Sequence, residues 1–141
     1  MPGHVLELPV RWSHLDKAGT IYFPKYFEWF DLAAEEMFRT MGLDWPTLFV
    51  RENILGLPIV EATARFILPL FYNDVIRIVT TVGEIRTRAF RLDHQVYRGA
   101  ELTAKGYVVR IWVQDPKGPQ GKMAAAPLPA HIVRALEAYK A

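Results

Sequence analysis

A chain of 141 residues, 51% hydrophobic and 23% charged, has room for one well-buried core and no apolar run near the ~20 residues of a membrane span. Lys and Arg outnumber Asp and Glu by only 17 to 15, without a long basic run, so neither nucleic acid nor a membrane surface is an expected partner. The lack of cysteine excludes disulfides, thiolate metal sites and a cysteine nucleophile, and with no signal-like apolar segment at the start the expected compartment is the cytoplasm.

Residues 5–12 partly alternate between apolar and polar and predict a strand, with Pro9 marking an edge or a bulge because proline cannot donate to a ladder. A loop over 13–22 follows. Pro24 suits a first helical position, and Tyr26, Phe30, Ala33, Ala34, Met37, Phe38 and Met41 recur at helical spacing up to the stop at Gly42, predicting a helix over 24–41. Phe27, Trp29 and Leu32 widen its apolar surface, so more than one face is expected to be covered. Asp44 can cap a short helix reaching Glu52.

From residue 59 onward β-branched and aromatic residues dominate, and four strands are expected at 59–68, 74–84, 89–98 and 102–114. Residues 115–122 read as an exposed turn-rich loop and 129–140 as an amphipathic helix. No repeat or linker divides the chain, so one domain over 1–141 is expected. A one-sided antiparallel sheet needs an apolar cover, which a single long helix can supply; the fold class is α+β.

Several residues could carry chemistry. Asp16 lies in a loop between His14 and Gly19, with Trp12, Ile21, Tyr22 and Phe23 nearby; a carboxylate in a partly apolar setting can act as base or nucleophile, but on spacing alone Asp16 to Gly19 reads first as a surface turn. The start of the long helix leaves backbone N–H groups free at the positive end of its dipole, and the Phe23 amide is the expected donor to a carbonyl oxygen. Arg86 and Arg88 would share one face if their segment were extended, suiting two phosphates, and the other reading is a solvated turn. Asp31, on the long helix, is either a specificity carboxylate for a substrate hydroxyl or a salt-bridged Asp. His94 shares the apolar register of Phe90, Leu92 and Val96 and is expected in the core. The histidines show no metal-binding spacing, so no metal is expected.

The run Asp16-x-x-Gly19-x-x-Tyr22-Phe23-Pro24-x-Tyr26, with Gly56-x-Pro58-Ile59-Val60, Tyr72-x-Asp74-Val75 and Arg86-x-Arg88-Ala89-Phe90 following in order, resembles the hotdog-fold acyl-CoA thioesterases of the 4-hydroxybenzoyl-CoA thioesterase family. The resemblance implies a hotdog fold, a long central helix wrapped by a five-stranded antiparallel β-sheet, in homodimers or homotetramers with sites between protomers. It implies hydrolysis of an aryl- or medium-chain acyl-CoA to a free acid and coenzyme A, with no cofactor beyond the coenzyme A of the substrate. Asp16 would be the catalytic carboxylate and the Phe23 amide the thioester-oxygen donor. His14, Gly19, Tyr22, Tyr26 and Asp31 would line the substrate, and Arg86, Thr87 and Arg88 would lie near the nucleotide of coenzyme A. Thr87 interrupts what can be a basic triplet in relatives. The competing readings are a non-catalytic acyl-CoA-binding module and a hotdog dehydratase; the latter is disfavoured because residues 25–41 contain no histidine.

Overall fold

The computed structural model describes residues 3–116 and 123–141, so most of the loop expected at 115–122 lies outside the described residues. In chain order the elements are β1 (His4–Pro9), α1 (Pro24–Thr40), α2 (Trp45–Glu52), β2 (Ile54–Gly56), β3 (Ile59–Phe66), β4 (Val75–Ile85), β5 (Ala89–Arg98), β6 (Glu101–Ile111), β7 (Val113–Gln114), β8 (Ala124–Ala125) and α3 (Ala130–Glu137).

Helix α1 is organised by its stripe. Tyr26, Trp29, Phe30, Ala33, Ala34, Met37 and Phe38 are all buried, the alternating three-and-one spacing of a single broad apolar face. The second face expected to be covered is open in the single chain: Phe27 is only partly buried and Leu32 stays 39% exposed. Gly42 follows the helix with φ +76°, a left-handed conformation that suits glycine.

The stripe packs into a five-stranded antiparallel sheet of order β1-β4-β5-β6-β3, the wrapped-helix arrangement of the hotdog fold. Inward positions of β4 and β5, among them Ile76, Ile78, Phe90, Leu92 and Val96, close over Phe30, Ala33, Ala34 and Phe38. Burying each such large side chain contributes about 1.5–3 kcal/mol. The closest approach is at Gly106 of β6, where a Cβ would lie 2.0 Å from the Thr63 carbonyl oxygen and 2.9 Å from Phe30 Cε2. Glycine there lets Phe30 sit directly on the strand.

Four boundaries differ from expectation by more than one residue. β1 ends at Pro9, which does sit on an edge strand paired only to β4, and residues 12–14 form a 3₁₀ turn instead of continuing the strand. β3 stops at Phe66, two residues early. The last long strand breaks at Trp112, and its end, β7, joins β2 and β8 in a second small sheet that hydrophobic alternation did not reveal. Helix α3 is shorter than 129–140, with Pro129 at its N-cap.

Candidate active site

The loop after β1 is built by Asp16 itself. Its N–H donates to the Thr20 carbonyl at 2.8 Å, its carbonyl accepts from Gly19 N–H at 3.1 Å, and Leu15 bridges Ile21. Gly19 adopts φ +85°, a region that disfavours other residues, which accounts for the spacing of Asp and Gly in the motif. The side chain adds a second layer: Oδ1 accepts from Ala18 N–H at 2.9 Å and Thr20 N–H at 3.3 Å, while among the described residues only Thr20 Oγ1 approaches Oδ2, at 3.5 Å. The surface turn, one of the two readings of Asp16, is present. Asp16 forms the turn through Oδ1, and Oδ2 is left almost uncommitted. The partly apolar setting expected for it is not present within one chain, where Asp16 is exposed.

The helix start supplies the complement. Tyr22 N–H donates to the His14 carbonyl at 2.9 Å, Lys25 N–H to Tyr22 at 2.9 Å and Tyr26 N–H to Phe23 at 3.2 Å, while Pro24 has no N–H. Among the described residues, this leaves the Phe23 N–H without an acceptor at the positive end of α1. A cleft of about 280 Å³ opens beside it, bounded by Thr20, Ile21, Phe23, Tyr26, Phe66 and Leu68. Tyr26 is buried against Trp29 and Phe66, at ring separations of 5.2 and 4.8 Å, and burial pushes its hydroxyl up to about 12, so it stays protonated. A free amide, an apolar cleft and a carboxylate one hydroxyl away can polarise and attack an acyl carbonyl.

Other expected residues lie apart from this group. His14 accepts from Arg11 N–H through Nδ1 at 2.9 Å and stands edge-on to Trp29 at 5.2 Å, in a separate cleft with Lys25 and Glu28. Burial holds its pKa below the usual histidine value, reinforced by Lys25. Tyr22 is half exposed, its ring 5.7 Å from that of Phe23. Asp31 lies eight residues past Phe23, roughly 12 Å along the helix, and is salt-bridged to Arg110 at 2.6 Å. Arg86, Thr87 and Arg88 occupy the exposed connection between β4 and β5, so the shared strand face expected for the two arginines does not form. The chain turns there because Arg86 N–H bonds the Ala89 carbonyl at 2.8 Å, and Arg86 pairs with Glu84 at 3.0 Å, which raises its pKa. The Thr87 carbonyl accepts from Leu128 N–H, tying the connection to the segment before α3, and the Arg88 carbonyl accepts from Trp112 N–H between β6 and β7.

His94 is in the core, as its register implied, bonded to Thr80 Oγ1 through Nδ1 at 2.8 Å and stacked on Phe30 at 4.8 Å. Among the described residues no group of three or more acidic, His or Cys side chains could hold a metal ion. Arg110 was missed. It sits on the inward register of β6 between Val108 and Trp112, 3% exposed, and a lone charge on an apolar register was the signal available in the sequence.

Residues 10–136 match the family model described as the thioesterase-like superfamily. The 4-hydroxybenzoyl-CoA thioesterase of Pseudomonas sp. (strain CBS-3) is 36% identical over 116 residues, covering 78% of this chain and 82% of that protein. Among solved structures, a gentisyl-coenzyme A thioesterase superposes with TM-score 0.80 at 28% identity, covering 95% of this chain and 99% of the other. A 4-hydroxybenzoyl-CoA thioesterase variant with one aspartate changed to asparagine, complexed with 4-hydroxybenzoyl-CoA, gives TM-score 0.85 at 25% identity, covering 96% and 99%.

Proposed function

The chain belongs to the thioesterase-like superfamily and is a thioester hydrolase, and we propose that it cleaves aroyl-CoA thioesters with Asp16 and the Phe23 N–H. The observation that carries this reading is the unpaired Phe23 N–H at the head of α1, beside a cleft whose Thr20 wall faces the freer oxygen of Asp16. An aryl group, rather than a medium-chain acyl group, is supported by the 4-hydroxybenzoyl and gentisyl thioesterases among the similar proteins.

The thioester oxygen would accept the Phe23 N–H, drawing electron density from the carbonyl carbon. In one route Asp16 Oδ2 bonds to that carbon, the C–S bond breaks, and the thiolate takes a proton; water then cleaves the mixed anhydride, releasing the acid and the free carboxylate of Asp16. In the other, Asp16 takes a proton from water as the oxygen adds, the C–S bond breaks, and the proton passes to the thiolate. Asp16→Asn retains an Oδ1 acceptor for the Ala18 amide, so the turn should persist while turnover falls on the order of 10²-fold or more. Thiol release at close to the unmodified rate would sink the role of Asp16.

Arg86 and Arg88, exposed on the β4–β5 connection, are proposed to meet the coenzyme A phosphates, with Thr87 between them. A homodimer or homotetramer is proposed as well. Support comes from the exposed apolar residues around the site, Trp12 at 76%, Phe23 at 59% and Phe66 at 50%, which a second protomer would cover.

A further inference from the structure

Tyr26 is 4% exposed and packed against Trp29 and Phe66, yet its hydroxyl has no hydrogen-bond partner among the described residues. Unlike the enclosed Nε1 of Trp45 and Nε of Arg110, this oxygen is not sealed from solvent. Tyr26 walls the cleft of about 280 Å³ beside the Phe23 N–H, where the only other polar side chain is Thr20, whose hydroxyl approaches Asp16 Oδ2. A buried tyrosine normally satisfies its hydroxyl, so one left open on a cleft points to an occupant that supplies the partner.

The helix start decides which atom of the occupant that is. Tyr26 lies three residues past Phe23, about one turn and ~4.5 Å along the axis, so the two belong to one face of the first turn. Helical side chains lean toward the N-terminus, which carries the Tyr26 ring back over the turn headed by the Phe23 N–H. We propose that the Tyr26 hydroxyl is a catalytic group, a second donor to the thioester oxygen that the Phe23 N–H receives. The assignment rests on the thioester-hydrolase reading but not on the acyl group, because every acyl thioester presents the same carbonyl. Sulfur is the weaker acceptor of that linkage, and negative charge gathers on the oxygen as the carbonyl carbon is attacked, so both donors act most strongly in the transition state. Burial pushes the hydroxyl up to about 12, so Tyr26 donates a hydrogen bond and keeps its proton throughout.

Tyr26→Phe in the full chain tests this, since it keeps the ring contacts with Trp29 and Phe66 and removes one unpaired oxygen. For an aroyl-CoA, kcat should fall about 10-fold or more while KM stays within about 2-fold and the melting temperature is not lowered, as expected of a group paired only when substrate reacts. An unreduced kcat, a rise in KM alone, or a melting temperature that drops along with activity would each overturn the assignment. A spectroscopic reading comes from the infrared carbonyl band of an isotope-labelled aroyl-CoA bound to Asp16→Asn. Adding Tyr26→Phe should move that band to higher wavenumber, because a hydrogen bond to the oxygen weakens the C=O bond; an unmoved band would remove Tyr26 from the carbonyl. If the unmodified chain releases thiol from aliphatic acyl-CoAs alone, the aroyl reading fails and Tyr26 is judged on those substrates, whereas release from none would overturn both.

Discussion

His94 and the two arginines of the β4–β5 connection illustrate how environment sets what a titratable side chain can do. Burial, with the charge of Arg110 adding to it, lowers the His94 pKa from 6.5 to about 3, so the folded protein keeps it neutral while the unfolded chain protonates it. Between those values the unfolded state binds more protons. The contribution is therefore fully present above pH 6.5 and is lost as pH falls toward 3. Thermal melts of the unmodified chain should lose stability through that window with a slope approaching about one proton, and His94→Gln, which keeps a partner for Thr80, should show less slope. Identical slopes would mean that His94 is not held neutral. Arg86 and Arg88, by contrast, stand in solvent, where removal costs the fold little. The double change to Ala should raise KM for an acyl-CoA roughly 10-fold with kcat little altered, as expected of two phosphate contacts; an unchanged KM would dismiss the nucleotide role.

At the scale of elements, the site is a junction between a loop and α1. Asp16 is positioned by its own turn, and among the described residues the Phe23 N–H is free because Phe23 is the N-cap of α1, ahead of the turn whose hydrogen bonds begin at Lys25. Phe23 has φ −55°, close to the value that proline imposes, so Phe23→Pro removes the N–H without demanding a new φ. If that N–H holds the oxyanion, kcat should fall on the order of 10²-fold with the melting temperature nearly kept. A folded Phe23→Pro variant with unreduced kcat would remove the amide from the mechanism. Gly106 plays a supporting part: by allowing β6 to press on Phe30, it sets how deep α1 lies in the sheet.

At the scale of the whole molecule, one chain lays its sheet over the apolar stripe of α1 yet leaves its site in the open. Trp12 meets Tyr72 edge-on at 5.7 Å, and both are exposed, as are Tyr22, Phe23 and Phe66 near the cleft. Leaving that much aromatic surface in water is unfavourable, and a second copy would bury it and dry the surroundings of Asp16. Sedimentation equilibrium should give a dimer or tetramer, with thiol release per chain falling as dilution separates protomers. A monomer with undiminished turnover would show that each chain works alone.

Amino-acid order alone determined the elements with strong periodicity: the stripe of α1 and the β-rich second half, while Pro9 marked an edge or a bulge and the sheet order made it an edge. These depend on local spacing, which reads directly as a helix or a strand. The motif from Asp16 to Tyr26 identified the loop and the helix start, because turn geometry and Pro24 leave a local signature. Only the tertiary structure decided the rest. It split the last long strand between two sheets, turned Arg86 and Arg88 into a solvated connection, and committed Asp31 to Arg110, a residue 79 positions away. Such pairings depend on which strand lies opposite which, and a buried arginine is tolerated only where a distant carboxylate folds back to meet it.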